Sequence, residues 1–271
     1  MNLYPSLRKL SLAALVAVVS VICPRVILAG PPSGYHLDWA DEFNGPSLDD
    51  NTWNIISGSR HSAVNTPDAV AVTNGCLVIS SYTTKGIHYT GFVDTKGKVY
   101  KRYGYYEARI QFQNAPGNWS AFWLQSDGIL HTNRNPADGV EIDIIEHRNT
   151  DKKGRDLIGV SESALHYNGY HAAEVSTNIV TGDLGLSSGF HTYGFLWTSN
   201  KYEFYVDDRL TWAPANYMIS TSPEFVRLTS EIFNHGWAGD IPTNGYPGSA
   251  ATPLKMYVDY VRYYAPNGAA N

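Results

Sequence analysis

The chain has 271 residues, with 25 acidic against 20 basic side chains and a formal charge of −5. That balance offers a phosphate backbone little to bind, so nucleic acid is excluded as an expected partner. The length suits one large all-β domain, and no linker-like stretch divides it.

In chain order, Arg8 and Lys9 precede an apolar run from Leu10 to Ile22, and small Ala29 follows. This is the pattern of a secretory leader over residues 1–29, and the apolar run is shorter than the ~20 residues needed to span a bilayer. Ile22 stands before Cys23, where a lipid anchor requires a small residue. The expected protein is therefore secreted, extracellular or periplasmic, with no membrane contact after cleavage, and monomeric. Removing the leader takes three basic residues and no acidic one, moving the charge to −8. It also leaves Cys76 as the remaining cysteine, so no internal disulfide is expected, and core packing has to stabilise the fold.

From Leu37 to Tyr264 short apolar-alternating segments are separated by Gly, Pro, Asn and Asp, with no amphipathic helix of convincing length. That pattern predicts an all-β sandwich over residues 30–265, followed by a frayed tail at 266–271. Tyr103–Phe112 reads as a half-buried strand, with Tyr106, Ala108, Ile110 and Phe112 on one face and Tyr105, Glu107, Arg109 and Gln111 on the other. Trp119–Leu124 is apolar on both faces and predicts a central strand, with Trp119, Ala121 and Trp123 sharing a face. Further strands are expected at Ser163–Tyr167, Phe190–Trp197 paired with Lys201–Val206, Val226–Phe233 and Leu254–Tyr264. In the last of these Met256, Val258 and Tyr260 alternate.

Between these strands lies Gly139-Val-Glu-Ile-Asp-Ile-Ile-Glu-His147, with three carboxylates in six residues among β-branched neighbours. Strand alternation places Glu141 and Asp143 on one face and Ile142 and Ile144 on the other. Strict alternation would then put Glu146 with the isoleucines, where an unpaired charge is very costly. A β-bulge at Ile144-Ile145 removes the conflict by turning Glu146 onto the face of Glu141 and Asp143.

These strands and acids together resemble glycoside hydrolase family 16. The segments that carry the resemblance are Glu141-Ile-Asp143-Ile-Ile-Glu146, Trp39-Ala-Asp-Glu-Phe-Asn-Gly45, Tyr103–Phe112, Gly117–Leu124 and Tyr257-Val-Asp-Tyr-Val-Arg-Tyr263, in family order. The resemblance implies a β-jelly-roll sandwich of two antiparallel sheets with a concave substrate cleft. It also implies endo-acting, retaining hydrolysis of a polysaccharide, with Glu141 as nucleophile, Glu146 as acid and base, and Asp143 tuning both. Like charges on one face resist joint ionisation, so one carboxyl can keep its proton while another attacks. Which carboxyl does so is not visible in sequence.

By position in the family pattern, Trp119, Trp123, His166 and Trp237 are candidate substrate contacts. Asp259 matches an aspartate that in relatives ligates a structural calcium, while catalysis itself needs no cofactor. Ser230-Glu231 departs from the family pattern ahead of the glycine-rich turn, which leaves contacts from Glu231, Asn234 and His235 open. The expected substrate is β-1,3-glucan or mixed β-1,3/1,4-glucan. A galactan hydrolase acting on agarose or carrageenan is the alternative, hinted at by the basic run Thr95–Arg102. A non-catalytic glycan-binding module on the same fold is the alternative of a different class.

Overall fold

The structure, a computed structural model, describes residues 31–247 and 254–268. The leader expected over 1–29, with Cys23, lies outside the described residues. Among the described residues no helix is long and apolar enough to cross a membrane.

Two sheets form a sandwich, as expected. The seven-stranded sheet runs, edge to edge, Val175–Val180, Glu162–Tyr167, Glu141–Arg148, Asn118–Gln125, Phe225–Ile232, Phe92–Asp94 and Asn54–Ile55. In the eleven-stranded sheet Gly104–Gln111 lies between His191–Trp197 and Leu254–Pro266. The pairing is antiparallel except where Ala63–Asn65 runs parallel to Ile87–Thr90. The hairpin expected between residues 190 and 206 forms, with Trp197 paired to Tyr202.

The core lies between the sheets. Phe122, Leu124, Ile142, Ile144, Ile145, Leu165 and Leu228 pack there with Tyr106, Ala108, Ile110, Phe195, Val258 and Val261. Fully burying a side chain of this size contributes ~1.5–3 kcal/mol. Removing the apolar face of the seven-stranded sheet from water leaves its polar alternates on the opposite face, where the cleft lies.

Three expectations change. Gly104–Gln111 is not half-buried, because Tyr105, Glu107 and Arg109 are buried as well. The strand is interior to its sheet, and its outward polar groups are partnered. Tyr260 Oη donates to Glu107 Oε1 at 2.7 Å, and Arg109 Nη1 donates to Asp259 Oδ2 at 2.8 Å. Alternation in the last strand breaks between Val258 and Tyr260. That irregularity sends Val261 and Tyr263 into the core while Tyr260 turns out toward Glu107. Finally, the last strand continues to Pro266, and the Asn267 N–H donates to the Gly34 carbonyl at 2.8 Å, so the expected tail begins later. Cys76 is buried and disulfide-bonded in the full chain; the expectation of no internal disulfide concerned the chain without residues 1–29, which carry Cys23.

Candidate active site

Gly139, at φ 86°, admits the chain to the acid strand, since a Cβ there would meet the Ser126 Cβ and Oγ at 2.2 Å. Along that strand Phe122 pairs with Ile145 and Trp123 with Asp143, so Ile144 has no partner on its neighbour. The register to the other neighbour shifts between Asp143 and Glu146. This is the expected bulge. Ile144 and Ile145 both enter the core, and Glu141, Asp143 and Glu146 all line a cleft of about 670 Å³.

The three carboxyls differ in their surroundings. Glu141 Oε2 accepts from Gln125 Nε2 at 2.8 Å and from the Tyr170 hydroxyl. Burial, then the Asp143 charge, raise its pKa to about 7, with the Tyr170 and Gln125 hydrogen bonds and His166 working against the rise. Asp143 Oδ2 lies 3.3 Å from His166 Nε2. Burial raises its pKa too, while the hydrogen bond and charge of His166 oppose this. No hydrogen bond reaches the Glu146 carboxyl among the described residues. Burial, then the charges of Asp143 and Glu162, push its pKa well above the ordinary carboxylate value. Glu146 is therefore the group that keeps a proton, and Glu141, with two donors, is the one better able to ionise.

Of the aromatic candidates, Trp119 and Trp237 meet edge to face at 5.2 Å and line the cleft together. Trp123 also lines it but is buried. Its Nε1 donates to Thr229 Oγ1 at 3.2 Å, and the Arg227 guanidinium lies 4.5 Å from its ring centre. It forms floor more than open platform. His166 lies directly across the strand pair from Glu141 and bridges Asp143 to Glu174 through its two ring nitrogens. Burial works against its charge, but the Asp143 hydrogen bond and charge, with Glu174, raise its pKa to about 10.

Asp259 lies elsewhere. Its Oδ2 is ion-paired to buried Arg109, so a calcium ion at that oxygen would face a guanidinium. The residues present do not fit a calcium site there. Among the described residues, the groups close enough to share a metal are Glu141, Asp143 and His166, with ligand atoms within 4.8 Å of one another. A charged His166 held by two carboxylates is a proton-bearing bridge, and an imidazole that ligates a metal has to be neutral at the ligating nitrogen.

The basic run Thr95–Arg102 does not reach the cleft. Lys98 donates to the carbonyls of Asp50 and Trp53, and Lys101 pairs with Asp38 at 2.6 Å. Asn118, which opens an N-glycosylation sequon, is buried and bonded to Ser81, Ser230 and the Glu231 carbonyl. Asn234 and His235 are taken up by local bonds, to the Ile241 N–H and to Asp240.

Of the further cleft residues, the sequence left Glu231 open and did not single out the others. Glu231 lines the cleft beside Trp119, its register partner on the neighbouring strand, and its Oε2 lies 2.9 Å from Arg60 Nε and 2.8 Å from His61 Nε2. Burial would raise its pKa, but His61 and Arg60 hold it below the usual value. Glu162 is clamped by Arg148, and Arg227 lies in the floor 3.6 Å from Asp94. Gln125, Tyr170 and Glu174 complete the surroundings of Glu141 and His166. Gln125 and Glu162 lie at cleft-facing positions of their strands, which alternation from Trp123 and His166 could have found. Tyr170, Glu174, Arg60 and His61 come from loops or edges with no periodicity to mark them.

The family described as Beta-porphyranase A-D, GH16 domain, matches residues 36–266. Among curated relatives, the endo-1,3-1,4-beta-glycanase EglC of Rhizobium meliloti (strain 1021) is 30% identical, over 84% of this chain and 46% of its own. The keratan-sulfate endo-1,4-beta-galactosidase of Sphingobacterium multivorum is 27% identical, over 85% of this chain and 55% of its own. The chain thus spans about half the length of these two relatives. The solved structure of SCLam, a non-specific endo-beta-1,3(4)-glucanase from family GH16, superposes with a TM-score of 0.64 at 27% identity, covering 88% of this chain and 94% of that one.

Proposed function

Because the chain belongs to glycoside hydrolase family 16, we propose that it is an endo-acting, retaining β-glycanase with Glu141 as nucleophile and Glu146 as acid and base. The observation that carries this reading is the bulge at Ile144, which aims three carboxyls into one cleft. In the first step a Glu141 oxygen attacks the anomeric carbon as the glycosidic C–O bond breaks. The Glu146 proton passes to the departing oxygen, leaving a glycosyl ester on Glu141. Ionised Glu146 then takes a proton from water, whose oxygen attacks the same carbon and frees Glu141. Two displacements at one carbon retain its configuration. Asp143, linked to charged His166, supplies a negative group between the two glutamates.

Relatives at 27% and 30% identity named as glucan- or glycan-cleaving enzymes support β-1,3-glucan or mixed β-1,3/1,4-glucan as substrate. Trp119 and Trp237 supply aromatic faces and edges on which the C–H surfaces of sugars can rest. A second reading, a galactan hydrolase acting on agarose or carrageenan, is favoured by Arg60 and Arg227 in the cleft, by the porphyranase family match and by the keratan-sulfate relative. Export through residues 1–29 and a monomeric state belong to the same proposal and rest on the leader-like sequence and on the single-domain length.

Reducing-end release across laminarin, lichenan, xyloglucan, agarose, carrageenan and porphyran tests both readings. Cleavage of laminarin or lichenan is the expected result, and cleavage confined to the galactans would establish the second reading. Binding without product on the whole panel would overturn the enzymatic one.

A further inference from the structure

Glu146 has an acidic neighbour that the reaction scheme leaves unused. In the register of the two strands Glu146 lies directly opposite Glu162, and both side chains line the cleft. Like charges placed opposite one another across a strand pair destabilise a sheet. Glu162 is nevertheless held where it is. Arg148 grips both of its oxygens, with Nε 2.7 Å from Oε2 and Nη2 2.6 Å from Oε1. Such a two-pronged, charge-assisted pair fixes the buried Glu162 carboxylate in place. The guanidinium is fixed in turn, 4.0 Å from the Trp237 ring centre and donating to the Trp237 carbonyl.

We propose that Glu162, clamped by Arg148, is a positioning residue whose fixed negative charge keeps the Glu146 carboxyl protonated for its acid role. This rests on the reading of Glu146 as the acid. Along its own strand Glu146 also feels Asp143 and Glu141, which act in the same sense, and from the strand of Glu162 it feels His166, which opposes them. Its partner on the other neighbouring strand is uncharged Ala121. One strand further lies Glu231, with its cations Arg60 and His61 beside it. Glu162 is the carboxylate in direct cross-strand register with the acid. The arrangement also links the acid to the cleft wall, because the arginine that secures Glu162 rests on the tryptophan proposed to meet sugar.

The test is the pH profile of kcat/KM on the polysaccharide that the enzyme cleaves, in Glu162→Gln and in the double variant Glu162→Gln/Arg148→Gln. The double variant leaves no orphan guanidinium, so it keeps the test alive if the single variant folds poorly. Losing one like charge lets Glu146 ionise earlier, so the basic limb should move down by about one pH unit in both variants. Glu162→Asp, which keeps the charge, should return most of that shift. A 2,4-dinitrophenyl glycoside needs no protonation of its leaving group, and its cleavage by Glu162→Gln should stay within about twofold of the wild type at alkaline pH. A basic limb unmoved in folded variants overturns the role of Glu162. The acid assignment is checked separately: if Glu146→Ala loses the dinitrophenyl substrate as severely as the polysaccharide, that assignment is wrong whatever Glu162 does.

Discussion

The Tyr170 hydroxyl donates to Glu141 Oε2, the same oxygen that accepts from Gln125 Nε2 at 2.8 Å. Hydrogen bonds to the charged form lower a carboxyl pKa, and here they oppose burial and the Asp143 charge, whose net result is a value raised to about 7. As the proposed nucleophile, Glu141 has to be ionised to attack. Activity should accordingly rise as pH increases through about 7. Tyr170→Phe removes a bond to the ionised form, so the acidic limb of the kcat/KM profile should move to higher pH, by roughly half a unit to one unit. A limb that stays in place or moves down would contradict the assignment.

The bulge makes a second prediction. Deleting Ile144 removes the bulge and leaves Glu-Ile-Asp-Ile-Glu, in which strict alternation keeps all three carboxyls on the cleft face and Ile145 in the core. The deletion should therefore keep measurable hydrolysis while losing about 2–5 kcal/mol of stability with the buried isoleucine, and a folded deletion variant with no hydrolysis would show that the bulge itself sets the placement of Glu146. Ile142→Ala, which opens a cavity in the same strand and leaves the register intact, should lose about 2–5 kcal/mol of stability in denaturant melts while keeping measurable activity.

His147 predicts a stability effect of defined sign. It stacks on Phe112 with ring centres 4.8 Å apart, and burial, then the charge of His191, lower its pKa to about 4. Above pH ~6.5 neither the folded nor the unfolded chain holds this proton. Between ~6.5 and about 4 the unfolded chain binds it and the folded chain does not. Stability contributed by neutral His147 is thus lost as pH falls through that window, by roughly 3 kcal/mol in all. His147→Phe, which keeps a ring against Phe112, should flatten this part of the difference in melting temperature between pH 7 and pH 4.

The Arg109–Asp259 pair carries a prediction about calcium. With the carboxylate already paired at 2.8 Å, adding a chelator or calcium should leave the melting temperature unchanged to within about one degree. Asp259→Asn weakens the pairing of the buried guanidinium and should destabilise the fold by several kcal/mol. A melting temperature that drops on chelation and recovers with calcium would place a metal where the structure places an arginine.

The sandwich and the bulge were legible because both follow from a period of two. Ile142 and Ile144 fix the core face, and Glu146 then violates alternation in a way that one extra residue repairs. The second irregularity, at Val258-Asp259-Tyr260, was not legible, since Tyr260 is amphipathic and no charge falls on the wrong face to reveal the slip. Glu107 and Arg109 looked solvent-facing because they are polar. They are buried because Tyr260 and Asp259 from the neighbouring strand satisfy them. Pairing across strands is a tertiary fact, and alternation within one strand cannot see it. The same limit hid Tyr170, Glu174, Arg60 and His61, which reach the cleft from segments distant in sequence from the acid strand.

The most direct test of the central claim is to locate the covalent intermediate. After reaction with an activated 2-deoxy-2-fluoro glycoside matching the cleaved polysaccharide, intact-mass spectrometry and peptide mapping should find one glycosyl unit on the peptide carrying Glu141, at Glu141 itself. Label at Glu146 or Asp143, or unlabelled enzyme that releases product of inverted configuration, would contradict the account.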